Sequence, residues 1–263
     1  MRFLIVNADD FGYGNAINRG IERACRSGIV TSASLMVNTP GTGEALDIAS
    51  RLPDLSLGLH VNFTNEAQRL VAFEHPEVAR TELRLQFHRF VELTGRLPTH
   101  IDAHQHVHRA PGCGDVFAEL AIEYGLPLRE RPPVIFKGGF YAQWEYGVSD
   151  PTKVSHESLA RILRDEVTTG IYELAVHPGY SDSAVTFVYD EDREHELRTL
   201  TDPRSRELLA RLSIHLISYH QLGDAVRRIA AHRATQSVGE WAAPNLDEGI
   251  SGTAKTAEIE MGR

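Results

Sequence analysis

Four histidines and an aspartate fall at alternate positions of Thr99–Arg109, THIDAHQHVHR: His100, Asp102, His104, His106 and His108. In an extended chain alternate side chains share a face, so all five would point one way. Ile101, Ala103 and Val107 would then point the other way, toward an apolar layer. A strand that carries a row of imidazoles on one face is a metal-site candidate. A solvated histidine-rich turn is the competing reading, and the apolar residues on the opposite face argue against it.

Other groups of the same chemistry stand at the ends of expected strands. Asp9 and Asp10 follow the first apolar run, His60 and Asn62 close the third, and His177 closes the run Ile171–Val176. An Asp/His set with no cysteine suits a divalent ion such as zinc, manganese, nickel or magnesium. Three protein ligands and one open position would activate a water. A spare carboxylate could take its proton and a spare histidine could protonate the leaving group. Taken singly, Asp9-Asp10 also reads as an acidic pair at a helix N-terminus, and His177 as a turn residue before Pro178. Four coincident strand ends favour a shared site.

The elements that must position these groups alternate in type. Phe3–Ala8, Ile29–Val37, Leu55–Phe63, the histidine-rich segment, Leu126–Arg131, Ile171–Val176 and Ile214–Tyr219 read as strands. Asn15–Ser27, Glu44–Arg51, Val78–Leu93, Val116–Tyr124, Ser155–Thr169 and Leu222–Ala231 read as helices. Strand and helix repeat about seven times, which implies a parallel sheet with right-handed crossovers. At this length the sheet is a closed or nearly closed barrel, or an open doubly wound one. In a barrel the strand C-termini converge at one mouth. The aromatic, glycine-rich segment 134–152 is expected to be a lid, a substrate wall or a loop tucked over the barrel edge. Tyr189–Glu207 is heavily charged and reads as a solvated loop and helix face. Residues 1–235 read as one domain and 236–263 as a disordered polar tail.

The chain has 263 residues, with 42% hydrophobic and 24% charged, and a net charge of −9. That balance disfavours nucleic acid as a partner. Cys25 and Cys113 form no disulfide framework and no zinc spacing. The apolar N-terminal run is too short for a signal-peptide core, and no run approaches a membrane span. A cytoplasmic location is expected. The sequence is compatible with a homodimer.

NADDFG at 7–12, GLHVNFT at 58–64, THIDAHQHVH at 99–108 and HPGY at 177–180 together resemble the YdjC-like carbohydrate deacetylase family. The match runs from about Met1 to about Asp224 with the motifs in family order. The resemblance implies an α/β fold, an irregular (β/α) TIM-like barrel of parallel strands in a single domain. It implies a divalent metal ion on an Asp-His-His set, magnesium or zinc first, with manganese, nickel or cobalt as alternatives. It also implies an N-acetylated sugar as substrate and acetate as product. By motif position the metal ligands would be Asp10, His60 and His104. Asp9 would be the general base and His177 the general acid. Asp102, His106 and His108 would support the ligands or touch substrate. Arg129 would orient Asp9 or bind substrate, against a plain reading as a surface arginine. The segment after Thr64 is shorter than in many members, and Ala103 stands where serine is common, so the particular sugar does not follow. The competing functions are another barrel-type metal hydrolase (an amidohydrolase or phosphoesterase) and a non-catalytic sugar- or metal-binding barrel. The former usually carries His-x-His after its first strand, where this chain has Asp-Asp.

Overall fold

The computed structural model describes residues 1–65, 68–145, 147–181 and 189–239. Seven strands form one parallel sheet: β1 (Arg2–Phe11), β2 (Ser32–Leu35), β3 (Ser56–Val61), β4 (Ile101–Ala103), β5 (Val134–Lys137), β6 (Gly170–Val176) and β7 (Ile214–Leu216). Their order is β4-β3-β2-β1-β6-β5. One edge of β1 is shared: β7 pairs with Arg2–Leu4, and β2 joins at Asn7 to Phe11. Thr31 closes that fork, donating its backbone N–H to the Val6 carbonyl and its hydroxyl to the Ile217 carbonyl. Helices flank the sheet: α1 (Asn15–Ser27), α2 (Thr42–Ser50), α3 (Pro76–Thr94), α4 (Cys113–Tyr124), α5 (His156–Asp165), α6 (Asp190–Thr201), α7 (Pro203–Arg211) and α8 (Leu222–Gly239). The result is the expected irregular (β/α) barrel. Among the described residues, no pairing joins β4 to β5. Leu128 alone extends the β4 edge, by a bridge to Ile101.

Alternation along the strands separates two interiors. Leu4, Val6 and Ala8 of β1 pack in the main core with Leu57, Leu59 and Val61 of β3 and Leu174 and Val176 of β6. On the other face, Phe3 and Ile5 join Ile171, Ile217, Tyr219, Leu222 and Ala225 in a smaller cluster at the N-terminal ends of the strands. Further along that same inner face the residues turn polar: Asn7 and Asp9 on β1, Ser34 on β2, His60 on β3, Asp102 on β4 and Glu173 on β6, all buried. The inner face is thus apolar at the base and ionisable toward the mouth.

Several local expectations are corrected. The histidine-rich strand stops at Ala103, and His104–Arg109 forms a 3-10 turn with left-handed backbone at Gln105 (φ 50°) and His106 (φ 52°). The shared face therefore ends at His104, because the alternation requires extended backbone. Within 134–152, Val134–Lys137 is not loop but a strand paired with β6. Gln143–Glu145 and Val148–Ser149 form a small hairpin. The charged segment from Tyr189 is not a solvated face, for Asp192, Arg193 and Glu196 of α6 are buried. The expected tail from 236 does not begin there, because α8 continues to Gly239, and the rest of it lies outside the described residues from 240 onward. Among the described residues no helix is long and apolar enough to cross a membrane.

Candidate active site

A cavity of about 320 Å³ opens at the C-terminal ends of the strands and is lined by Asp9, Asp10, His60, His104, His106 and His177, among others. Phe136, Gly138, Tyr141 and Gln143 contribute its wall from the 134–152 segment. A larger hollow at the other end of the barrel is lined by Arg26, Arg51, Arg206 and His220. It holds none of the candidate ligands.

Two consecutive acids reach the mouth because β1 breaks register between Ala8 and Phe11. Asp10 has φ 65°, a left-handed conformation that aspartate tolerates better than most residues. In a regular strand Asp9 and Asp10 would face opposite ways; the bulge turns both into one site. Asp10 Oδ1 lies 3.3 Å from His60 Nε2 and accepts from His104 Nδ1 at 2.9 Å. Its Oδ2 accepts from Arg193 Nη2 at 2.7 Å. Burial would raise the Asp10 carboxyl, but Arg193 and His104 outweigh it and hold it well below the usual range.

Behind this trio stands a buried polar network. His60 Nδ1 donates to Asp102 Oδ1 at 2.7 Å, which turns its Nε2 toward Asp10. Asp102 Oδ2 accepts from Ser34 Oγ at 2.6 Å and lies 2.7 Å from Arg129 Nη2. Arg129, wholly buried, forks onto Asp9, with Nη1 to Oδ2 and Nη2 to Oδ1 both at 2.7 Å. It also donates Nε to Glu173 Oε1 at 2.9 Å, and Glu173 Oε2 accepts from Tyr219 Oη at 2.8 Å. Burial opposes charge on Asp9, but Arg129 overrides it and the carboxyl is lowered. Burial likewise opposes charge on His60, yet Asp102 and Asp10 lift it to about 10.

That raised imidazole is a test of fit. Asp10, His60 and His104 place their ligating atoms within 4.8 Å of one another. Among the described residues, the buried His104 Nε2 has no hydrogen-bond partner. An anionic pocket that attracts an extra proton onto His60, and leaves an imidazole nitrogen unspent, is one that a divalent cation can occupy in the proton's stead. Asp9, His60 and Asp102 form a second compact group. There the Arg129 cation already occupies both carboxylates, so that group does not fit an ion.

On the far side of the cavity His177 follows β6, with Nε2 3.8 Å from Asp9 Oδ2 and Nδ1 3.8 Å from Glu196 Oε1. Glu196 accepts the His177 backbone N–H at 2.6 Å and the Tyr189 hydroxyl at 2.5 Å. Tyr189 stacks on Tyr141 with centroids 4.4 Å apart, and Tyr141 meets the edge of His177. Burial pushes His177 down, but the Glu196 carboxylate prevails and raises it above the ordinary imidazole value.

Of the residues singled out by sequence, Asp9, Asp10, His60, His104, His106 and His177 share the cavity wall. Asp102 and Arg129 sit behind it. His108 faces away, with Nε2 3.3 Å from Glu130. His100 packs inward, 3.0 Å from Ser34 Oγ and stacked on Tyr219, and burial lowers it to about 4. Gly58 makes room for that ring, since a Cβ there would lie 2.3 Å from it. Arg129 is not a surface arginine. Sequence reading missed Ser34, Glu173, Tyr189, Arg193 and Glu196. Only Glu173 left a signal, as an acid in the middle of the apolar run IYELAV.

Comparison with known proteins agrees with this architecture. The family model described as YdjC-like protein matches residues 3–211. A carbohydrate deacetylase of Brevibacillus brevis is 33% identical over 252 residues, covering 84% of this chain and 99% of the relative. A carbohydrate deacetylase of Geobacillus stearothermophilus is 35% identical over 250 residues, covering 84% and 98%. The crystal structure of a cellobiose-phosphate cleavage protein, so described provisionally, from Enterococcus faecalis V583 superposes with a TM-score of 0.74 at 28% identity. It covers 84% of this chain and 98% of that one. With its motifs in order, its barrel matched and most of its length aligned, the chain belongs to the YdjC-like family.

Proposed function

We propose that this protein is a hydrolase that removes the N-acetyl group of an acetylated carbohydrate, with water as co-substrate and acetate and the free amine as products. The observation that carries the reading is the pairing across the cavity: an acid fixed by arginine, Asp9, stands 3.8 Å from a histidine with raised proton affinity, His177, beside the Asp10–His60–His104 cluster. Amide hydrolysis needs a base for the attacking water and an acid for the departing nitrogen, and these two groups supply one each. Asp10, His60 and His104 would hold a divalent ion. When bound it polarises the acetyl carbonyl and makes water more acidic.

The chain's own residues do the rest. Arg129 keeps Asp9 ionised and aims it, leaving the carboxylate to take the water's proton. His177, kept protonated by Glu196, gives its proton to the amine nitrogen as the C–N bond breaks. His106 and the aromatic wall of Phe136, Tyr141 and Tyr189 exclude bulk water and face the sugar. Acetate release by the purified protein, measured over N-acetylated mono- and oligosaccharides and glycolipids, tests this. Turnover is expected with at least one class. Absence of acetate from all of them, with metal supplied, would overturn the reading.

A further inference from the structure

The two oxygens of Asp10 have different partners. Oδ1 faces His60 and His104, whereas Oδ2 accepts from Arg193 Nη2 at 2.7 Å. Arg193 is buried, its guanidinium lies 5.7 Å from the Tyr189 ring centre, its Nη1 reaches the His177 carbonyl at 3.5 Å, and its Nε has no hydrogen-bond partner among the described residues. Its charge is therefore directed at Asp10 rather than at solvent.

Close backbone packing lets this arginine in. Gly179 of the turn after His177 sits between α1 and α6, donating its N–H to the Arg193 carbonyl at 3.3 Å. A Cβ on Gly20 of α1 would lie 2.4 Å from Gly179 Cα, and one on Gly179 would lie 2.9 Å from Arg193 Cδ. The stem of Arg193 thus passes a surface with no side chain in its way and ends on Asp10.

We propose that Arg193 is a positioning residue that confines Asp10 to ligation through Oδ1 and offsets part of its negative charge. This inference rests on the reading of Asp10, His60 and His104 as metal ligands. A carboxylate with both oxygens free can close on a cation through two atoms and donate its full charge. Arg193 occupies the second oxygen, so the ion is held less tightly and remains a stronger acceptor for a substrate oxygen. The residue lowers metal affinity in exchange for turnover.

The test compares zinc affinity, measured by competition of the zinc-loaded protein against a chromophoric chelator, with acetate release. Arg193→Met is expected to bind zinc about tenfold more tightly, since a buried cation near the ion has gone. Its kcat is expected to fall by about tenfold or more, with KM unchanged within about twofold. Arg193→Gln, a second neutral variant, should tighten zinc in the same direction, and Arg193→Lys should restore an affinity close to wild type. Damage to the fold would weaken zinc and activity together. Weaker or unchanged zinc affinity in either neutral variant, folded by near-ultraviolet circular dichroism, would overturn the proposal. A wild-type protein that binds no zinc, or an Asp10→Asn variant that binds it as wild type does, would overturn the metal reading and this inference with it.

Discussion

Burial alone would strip His177 of its proton, yet the Glu196 carboxylate 3.8 Å from Nδ1 keeps the protonated form favoured to a higher pH than an ordinary histidine allows. As the proposed general acid, His177 would work only below its own pKa, so activity should fall on the basic side as it loses its proton. Glu196→Gln preserves the shape of the side chain and removes its charge. The basic limb of the kcat/KM profile should therefore move to lower pH, while the acidic limb stays. A basic limb that does not move would remove Glu196 from this role. At this scale the sequence was uneven. Asp9, Asp10, His60 and His104 were legible because each falls in a short motif at a strand end. Arg193 and Glu196 were not: they stand three apart in a helix of mixed charge, DEDREHELRTLT, and nothing in its composition distinguishes inward charges from solvated ones. Only the placement of α6 against the turn after His177 decides which they are.

The element that changes most between sequence and structure is the histidine-rich segment. Its alternation holds for His100, Asp102 and His104, where the backbone is extended, and fails at the left-handed pair Gln105 and His106. Each of those two pays a conformational penalty that a free turn would shed, and the pair sits directly after a cavity-facing histidine. The kink separates the row into functions by depth: Asp102 braces His60, His104 meets Asp10, His106 reaches the cavity wall, and His108 returns to Glu130. Spacing in the sequence could not show this, because the period of two presumes a strand that continues. His104→Ala should abolish stoichiometric metal retention, whereas His106→Ala and His108→Ala should retain one metal per chain. Elemental analysis of the three purified variants checks the division. Metal kept without His104 and lost without His106 would reverse it.

Across the whole molecule, the strand–helix order and the convergence of strand C-termini followed from periodicity, since apolar runs and helix stops are local signals. The continuous polar interior did not. Phe3 and Ile5 lie below Asn7 and Asp9 on one face of β1, and Ile171 lies below Glu173 on β6, so each strand changes character along its length. Arg129 ties three strands together through Asp9, Asp102 and Glu173, and no one strand contains enough of this network to reveal it. The barrel thus presents Asp9 as an oriented, ionised carboxylate beside the candidate cation site of Asp10, His60 and His104, of which it is not a member. The most direct test is therefore the Asp9→Asn protein, assayed for acetate release and for bound metal in the same preparation. Metal should remain at one per chain while turnover of an accepted N-acetylated sugar falls by about a thousandfold, the loss expected of a missing general base. Turnover within about tenfold of wild type, with metal in place, would contradict the assignment of Asp9 as the base.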